Sequence, residues 1–292
     1  MAYNISANHG ISNISDFLNA DYSTYFGSTR TQQEEIFSFF ANYLTPFVAV
    51  GLYLVLSKPL LNLFVSTFKI SPKGSVQVLT IAHSFILAAY SGWTFINMWR
   101  IGIPKVSANG LYGSFCDADG IKWNSYDFSF WVFHFYISKY YEFIDTWIVL
   151  LKGRDPIFLQ TYHHAGIVLI MWSFVVTHNT LPGFITTIFN SFIHTLMYTY
   201  YVFAAFGYQS KLKNYLTQAQ LVQFVVGLSL TVPGFFISGC MNPAQKLSLV
   251  AIHLYTYYLI YLFYLFYKET YLSKKNKKLD ATATATTTRK NE

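Results

Sequence analysis

The sequence predicts an all-α protein that crosses a membrane several times. Hydrophobic side chains make up 53% of the 292 residues and charged side chains only 11%, whereas a soluble domain carries about 25% charged residues. So few charges cannot cover a water-exposed surface, and the 28 Phe, 24 Tyr and 6 Trp residues exclude intrinsic disorder. The apolar residues also form blocks of about 20, the length that spans a bilayer as a helix. A polytopic membrane protein fits all three observations.

Seven apolar segments, joined into one bundle at residues 36–267, form the predicted membrane domain. A polar N-terminal tail at 1–35 precedes it, and a basic, low-complexity tail at 268–292, which we expect to be disordered, follows it. The seven predicted helices lie at 36–57, 75–98, 128–151, 157–177, 183–206, 215–239 and 247–267.

Basic residues predict the orientation of the bundle. If the N-terminus lies outside the cytosol, the cytosolic loops and C-terminal tail hold most of the 20 Lys and Arg residues, as the positive-inside rule requires. The sequons at Asn4 and Asn13 then lie in the luminal tail, where glycosylation is possible. Cys116 and Cys240 fall in loops on the same oxidising side, so they form either a disulfide or two free thiols.

The third span contains Lys139, Glu142 and Asp145 at positions i, i+3 and i+6. A charged side chain at mid-membrane costs roughly 2.5–3.5 kcal/mol. These side chains are therefore expected to face one another, other polar groups or a wet cavity. A structural ion-pair network is the alternative for Lys139.

The next three spans each carry a polar face at helical spacing. A single His or Tyr in a membrane helix usually makes an interhelical hydrogen bond, but four consecutive polar faces predict a walled polar chamber. These faces comprise Gln160, His163 and His164 in the fourth span, Asn190, His194, Tyr198 and Tyr201 in the fifth, and Thr217, Gln220 and Gln223 in the sixth.

The depth of these residues predicts a chamber that opens to the cytosol. His163 and Gln220 lie about 9 Å from the cytosolic ends of their helices, at 1.5 Å per residue. Lys152, Arg154, Lys211 and Lys213 would surround the opening, which suits a phosphorylated, water-soluble substrate. Three isolated histidines are expected to have core or interfacial roles: His83, His134 and His253.

Four ordered motifs carry a family resemblance. They are Lys139-x-x-Glu142-x-x-Asp145-Thr146, Gln160-x-x-His163-His164, Asn190-x-x-x-His194-x-x-Met197-Tyr198-x-Tyr200-Tyr201 and Thr217-x-x-Gln220-x-x-Gln223. The set resembles the ELO family of very-long-chain fatty acid elongases. The resemblance implies that acyl-CoA and malonyl-CoA give 3-oxoacyl-CoA, CO2 and CoA, without a metal or further cofactor. It also implies an endoplasmic reticulum membrane protein with seven helices, six of which form a barrel around a narrow acyl tunnel.

The same resemblance implies partners and a substrate class. The expected partners are membrane lipid, the reductases and dehydratase that process the product, and a second copy of the chain; nucleic acid is not expected, because the basic tail follows a membrane span. The family usually has His where this chain has Gln160, and similar proteins with Gln resemble elongases of polyunsaturated chains. Gln cannot titrate near neutral pH, so Gln160 should orient a neighbour. The last four residues, 289–292, resemble a dilysine-type retrieval signal, with a solvated basic tail as the alternative.

Histidine is the expected nucleophile, because both cysteines lie in loops on the wrong side of the membrane. The hypothesis is that His163 attacks the acyl thioester to give an acyl-imidazole, that His194 stabilises charge or positions malonyl-CoA, and that His164 orients its neighbours. Spacing alone leaves open which histidine is the nucleophile. The residues expected to bind substrate are Lys139, Glu142, Asp145, Gln160, Asn190, Tyr198, Tyr201, Gln220 and Gln223.

Two other functions fit parts of the sequence. Histidine boxes also bind iron in lipid desaturases and hydroxylases, but those sites need several boxes, and Gln160 removes a ligand from this one. A seven-helix transporter or receptor could use the buried His and carboxylate groups as a proton relay.

Overall fold

The computed structural model describes residues 32–68, 74–116, 126–208, 210 and 212–273, and every regular element within them is helical. The predicted all-α class is therefore confirmed. The α-helices are α1 Gln32–Ala41, α2 Leu44–Phe68, α3 Ser75–Phe115, α4 Tyr126–Tyr141, α5 Phe143–Leu151, α6 Phe158–Thr177, α7 Thr180–Ala205, α8 Leu212–Thr231, α9 Pro233–Phe236 and α10 Pro243–Tyr267.

Five helical segments among the described residues are long and apolar enough to cross a membrane, so the chain is a multi-pass membrane protein. These candidate spans are Leu44–Thr67, Ser75–Gly110, Phe158–Val176, Leu212–Phe236 and Pro243–Leu272. They correspond to five of the seven predicted spans. The segments predicted at 128–151 and 183–206 are also helical, but the seven-span barrel remains a prediction.

The third predicted span is divided at Glu142. The N–H of Asp145 donates to the carbonyl of Glu142 at 3.0 Å, but Glu142 keeps helical dihedrals (φ −65°, ψ −13°), so the break is one tightened turn between α4 and α5. The pieces are 16 and 9 residues long, and each is shorter than a bilayer-spanning helix. α7, with 26 residues, is long enough to span a bilayer. The polar stripe that includes Asn190 and His194 lowers its mean hydropathy.

Helix packing arranges the elements in a definite succession. α3 packs along α7, α7 along α8, α8 against α10, α10 against α6, α6 against α4, and α4 against α3. α2 contacts α5 and α6 from outside this succession. At the end of α3, a disulfide joins Cys116 to Cys240, which follows α9.

Local signals fix the ends of several helices. His178 adopts a left-handed conformation with φ of 49° at the end of α6, which allows α7 to begin at Thr180. Before α10, Asn242 and Gln245 form a reciprocal capping box in which each side chain accepts from the other residue's N–H.

The predicted tails lie largely outside the described residues. That holds for 1–31, including Asn4 and Asn13, and for 274–292, including the basic C-terminus. The predicted start of the disordered tail at 268 was wrong, because a π-helical segment, Lys268–Leu272, continues α10. Its Tyr271 side chain reaches Thr217 at 3.5 Å, so this segment packs on α8.

Candidate active site

A cavity of about 470 Å³ lies among α3, α5, α6, α7, α8 and α10 and contains the predicted polar chamber. Polar side chains from four separate stretches of sequence line it, together with apolar groups such as Ile148 and Phe224. The predicted site residues that line this chamber are Asp145, Gln160, His163, His164, Asn190, His194, Tyr198, Tyr201, Gln220 and Gln223.

Three basic side chains, Lys152, Arg154 and Lys213, also line the chamber. Lys152 and Arg154 follow α5, and Lys213 is in the first turn of α8, so all three lie at one end of the bundle. Partial burial and the positive charge of Arg154 hold the pKa of Lys152 below its usual value, while Asp145 acts in the opposite direction. The chamber thus has one cationic end; Lys211 lies outside the described residues.

Lys139 and Glu142 are fully enclosed behind the chamber wall. The Lys139 Nζ atom donates to Glu142 Oε1 at 2.6 Å and lies 3.9 Å from the centre of the Phe135 ring. Both side chains are about 2% exposed. The two residues are at i and i+3, which are neighbours on a helix surface, so the predicted ion pair forms without either group lining the chamber.

Asn190 connects this ion pair to His194. Lys139 Nζ donates to Asn190 Oδ1 at 2.9 Å, which fixes the orientation of the Asn190 amide. The amide nitrogen Nδ2 therefore faces His194 Nε2 at 3.1 Å and donates to it. The opposite ring nitrogen, Nδ1, lies 3.4 Å from Glu142 Oε1. The Nε2 lone pair of His194 is therefore occupied.

Tyr255, on α10, holds His163 in a different way. The Tyr255 hydroxyl donates to the His163 backbone carbonyl at 3.1 Å and lies 2.9 Å from His163 Nδ1. A hydroxyl has one proton to donate, so Nδ1–H must donate to the tyrosine oxygen for both bonds to form. In this tautomer, the Nε2 atom of His163 carries a free lone pair.

Gly166 permits the close approach of Tyr255. It lies one turn after His163 on α6, and a Cβ atom at this position would overlap the Tyr255 ring. Glycine is thus required where α6 and α10 bring the two side chains together.

Asp145 has separate partners from Glu142. His83 Nε2 lies 3.0 Å from Asp145 Oδ1, and the Tyr198 hydroxyl donates to Oδ2 at 2.6 Å. The description of His83 as an isolated histidine was wrong, because α3 packs its buried ring against α5 and α7. The three side chains form one network, and Asp145 and Tyr198 also line the chamber.

The remaining predicted residues occupy other parts of the wall. Gln160 Nε2 lies 3.4 Å from Thr146 Oγ1, which also contacts the Tyr53 hydroxyl at 2.8 Å. Gln220 Nε2 lies 3.4 Å from Met197 Sδ. Within the described part of the chain, Gln223 Oε1 and His164 Nδ1 are buried without a hydrogen-bond partner, so both atoms are available to a bound molecule.

Glu142, His163 and His194 offer ligand atoms within 4.8 Å of one another, a spacing that could hold a metal ion. Lys139 already contacts the Glu142 oxygen at 2.6 Å. A cation at this site would have to displace that ammonium group or accept strong repulsion from it. The donor set therefore fits a metal poorly while the ion pair is in place.

A second cavity of about 60 Å³ continues from the chamber between α6, α7, α8 and α10. It shares His163, Asn190 and Gln223 with the chamber and extends to Thr231 and Ile252. Apolar residues such as Ile167, Phe189 and Leu228 dominate its walls. We call it the narrow cavity.

A model of the GNS1/SUR4 family, ELO, matches residues 38–279. The chain belongs to the ELO family. The match includes every helix from α2 to α10 and all of the site residues described above.

Three curated relatives illustrate the similarity of this ELO-family chain to known proteins. It is 41% identical over 108 residues to fatty acid elongase sre1 of Dictyostelium discoideum, covering 37% of this chain and 40% of the relative. It is 40% identical over 138 residues to very long chain fatty acid elongase 2 of Mus musculus, covering 42% and 46%. It is 31% identical over 189 residues to fatty acid elongase 1 of Trypanosoma brucei, covering 61% and 62%. These alignments span about half the length of the relatives.

Sequence reasoning did not identify Tyr255 or the pairing of His83 with Asp145. The seventh predicted span contains several tyrosines and no charged residue, so no spacing distinguishes Tyr255 from its neighbours. In this ELO-family chain only helix packing reveals both contacts.

Proposed function

We propose that this protein is the condensing enzyme of fatty acid elongation, a 3-oxoacyl-CoA synthase. One observation carries the proposal: three histidines from two helices converge on a chamber whose cationic end is formed by Lys152, Arg154 and Lys213. A coenzyme A thioester needs both an activated nucleophile and partners for its phosphates. Family membership and the similarity to fatty acid elongases support the same reaction.

The first step is attack of His163 Nε2 on the acyl-CoA carbonyl. The bond from carbon to sulfur breaks, and CoA leaves as a thiolate that takes up a proton from solvent. The acyl group remains on Nε2 of His163, whose Nδ1 keeps its proton, as an acyl-imidazolium. The free lone pair at Nε2, maintained by Tyr255, supports His163 as the nucleophile rather than His194, whose Nε2 accepts from Asn190.

The second step joins the acyl group to malonyl-CoA. Loss of CO2 leaves an enolate, whose carbon attacks the carbonyl of the acyl-imidazolium; the bond from that carbonyl to Nε2 breaks and releases neutral His163 with 3-oxoacyl-CoA. His194 faces His163 with ring centres 6.4 Å apart, and it would position malonyl-CoA or stabilise developing negative charge. Amide N–H groups of Asn190, Gln220 and Gln223 are proposed oxyanion donors.

Lys139 and Glu142 are proposed to position this machinery from behind it. Lys139 holds the Asn190 amide in one orientation, and the Glu142 carboxylate lies 3.4 Å from Nδ1 of His194, where its charge acts on the ring. Asp145, with His83, would likewise fix Tyr198 at the chamber wall, next to Tyr201. His164 and Gln160 complete the wall near α2 and are proposed to orient the bound thioester.

The membrane arrangement follows from the same proposal. Seven spans would place the N-terminus in the lumen of the endoplasmic reticulum and the C-terminal tail in the cytosol, with 36–267 as the elongase domain. The succession of contacts from α3 through α7, α8, α10, α6 and α4 supports a six-helix barrel. The chamber and narrow cavity would form its acyl tunnel, open to cytosolic CoA esters.

Substrate class and partners are proposed at the same level. Gln160, in place of the family's usual His, supports a preference for long-chain polyunsaturated acyl-CoA. The reductases and dehydratase of the elongation cycle would take the product, and a second copy of the chain would form a homodimer in membrane lipid.

Condensation by the purified protein tests the function. Wild-type protein should convert acyl-CoA and labelled malonyl-CoA to labelled 3-oxoacyl-CoA, and acyl-CoA alone should add one acyl mass to His163 by peptide mass spectrometry. His163→Ala should lose both signals, whereas His134→Ala, a matched control on α4, should keep them. Normal condensation by His163→Ala would refute the nucleophile assignment.

The iron-dependent alternative is tested on the same preparation. Metal analysis should find no stoichiometric iron, and chelation should leave condensation unchanged. Iron bound in a fixed ratio, with activity that depends on it, would instead favour a desaturase or hydroxylase at Glu142, His163 and His194.

A further inference from the structure

An apolar cavity of about 460 Å³ lies between α3, α7 and α8, on the side of the bundle. We call it the side cavity. Trp99 and Phe192, at its outer edge, are 53% and 43% exposed, whereas Phe184 and Ile188, at its inner edge, are buried. The cavity is therefore a crevice that begins at the lipid-facing surface and reaches into the bundle.

The side cavity adjoins the narrow cavity through two shared side chains. Ile185 and Phe189 line both spaces, so these side chains form the partition between them. Across from Ile185, Gly227 of α8 leaves room, since even an added Cβ would lie 3.8 Å from the isoleucine methyl group. An alkyl chain that continued sideways from the narrow cavity would therefore pass Ile185 and Phe189.

The route straight ahead is closed by packed groups. The narrow cavity ends near Thr231, whose hydroxyl lies 3.4 Å from buried His253 Nε2. The Phe235 ring packs against His253 with centres 4.8 Å apart. Beyond them, Met241 and Leu249 pack so closely on Gly234 that a Cβ there would clash. An apolar chain would have to disrupt this polar contact and this packing to continue along the bundle axis.

We propose that the side cavity receives the methyl end of the acyl chain, which turns from the narrow cavity past Ile185 and Phe189 toward α3. The inference rests on the proposed acyl-CoA substrate and adds where its tail goes. Its apolar walls suit an alkyl chain, which gains stabilisation in proportion to the apolar area removed from water. Residues of α3 and α7 in this cavity then limit the chain length that the protein accepts.

A photoreactive substrate tests the path directly. An acyl-CoA with a diazirine at its terminal carbon, bound to wild-type protein in nanodiscs, should label Trp99 or Phe192. Unlabelled acyl-CoA should compete for this labelling. Labelling at Phe235 or His253 would overturn the proposal. A diazirine phospholipid provides the comparison. If it labels the side cavity as strongly as the acyl-CoA does, and acyl-CoA does not compete with it, the proposal is also overturned and lipid is the occupant.

Chain-length profiles provide the second test. Ile188→Trp should fill the side cavity and lower kcat/KM for the longest accepted acyl-CoA about tenfold or more, with little change for the shortest. Leu196→Trp is the matched control on the exposed face of α7, and Ile103→Trp, whose side chain lines the cavity from α3, is a second filling variant. An unchanged profile in both filling variants would contradict the proposal.

The side-cavity proposal and the proposed elongase function can each be wrong, and the experiments give different results in the two cases. If wild-type protein elongates the diazirine substrate with malonyl-CoA but no residue of α3 or α7 is labelled, only the side-cavity proposal is overturned. No turnover and no acyl adduct would overturn the elongase function, and the proposed path with it.

Discussion

His163 and His194 show how single hydrogen bonds give two neighbouring imidazoles different capacities. Tyr255 accepts from Nδ1 of His163 and leaves Nε2 free, while Asn190 donates to Nε2 of His194 and occupies it. Both rings lie in the same chamber. Their partners, rather than their position, therefore distinguish the proposed nucleophile from the proposed helper.

Removal of the Tyr255 hydroxyl should slow acyl transfer. Without this acceptor, the tautomer and ring angle of His163 are no longer fixed, so Tyr255→Phe should lower the single-turnover rate about tenfold, or about 1.4 kcal/mol in the barrier. KM should change little, and the pH profile of acyl transfer should shift because His163 loses its partner. Tyr258→Phe, on the exposed side of the same helix, is the control, and equal rates in both variants would contradict the positioning role.

The buried Lys139–Glu142 pair should show strong coupling. Lys139→Met leaves Glu142 as an uncompensated buried charge and should reduce the free energy of unfolding in detergent by about 3–5 kcal/mol. The double variant Lys139→Met/Glu142→Gln should recover much of that stability but not activity, because Asn190 loses its donor. Glu142→Gln alone completes the comparison. If the losses of unfolding free energy in the two single variants add up to the loss in the double variant, the two side chains are not coupled.

At the scale of elements, the third predicted span presents charged groups to two different surroundings. α4 carries Lys139 to the buried side, and α5 carries Asp145 to the chamber. Steps of about −60° from Lys139 to Glu142 and again to Asp145 leave the first and last groups about 120° apart around the helix axis. Glu142 can therefore pair with Lys139 while Asp145 pairs with His83 and Tyr198.

The contact between α6 and α10 depends on Gly166. Gly166→Ala should push Tyr255 away from His163 and reduce both acyl transfer and stability, the latter by about 1–3 kcal/mol. Gly51→Ala on α2 is the matched control, because no atom lies within 4 Å of the added Cβ. This control should be neutral or slightly stabilising, since Ala favours a helix over Gly. If Gly166→Ala has the activity and stability of the wild-type protein, the close approach of Tyr255 to α6 is unnecessary.

Over the whole molecule, opposite ends of the bundle have opposite chemistry. One end carries the basic side chains that line the chamber, and the other carries the disulfide between Cys116 and Cys240. This separation fits the predicted orientation, with a reducing cytosol at the chamber and an oxidising lumen at the disulfide.

Loss of the disulfide should destabilise the entire bundle. The cysteines are 124 residues apart in sequence, and closing so long a loop restricts the unfolded chain, so Cys116→Ser/Cys240→Ser should lose about 2–5 kcal/mol. In thermal unfolding in detergent, reductant should lower the transition temperature of the wild-type protein but not that of the variant. A wild-type transition insensitive to reductant under unfolding conditions would contradict this contribution.

The periodic part of the architecture was predictable from local sequence. Apolar blocks located helices in all seven expected segments, and three- and four-residue spacing identified the polar faces of α6, α7 and α8. Helix ends were less predictable: α3 stays regular as far as Gly110, where the backbone kinks with φ of 66°, well past the expected end at 98. An apolar window detects suitability for lipid, whereas helix length also depends on backbone hydrogen bonds that continue beyond it.

The sequence by itself determined the all-α class, the membrane environment and most residues of the candidate site, because each depends on composition or on neighbours within one helical turn. Only the tertiary structure decided which ring nitrogen of His163 is free, how His83 meets Asp145 and that two cavities adjoin at Ile185 and Phe189. Those contacts join residues 92 and 62 positions apart. Such pairs depend on how separate helices pack, and periodicity within a single helix contains no information about its neighbour.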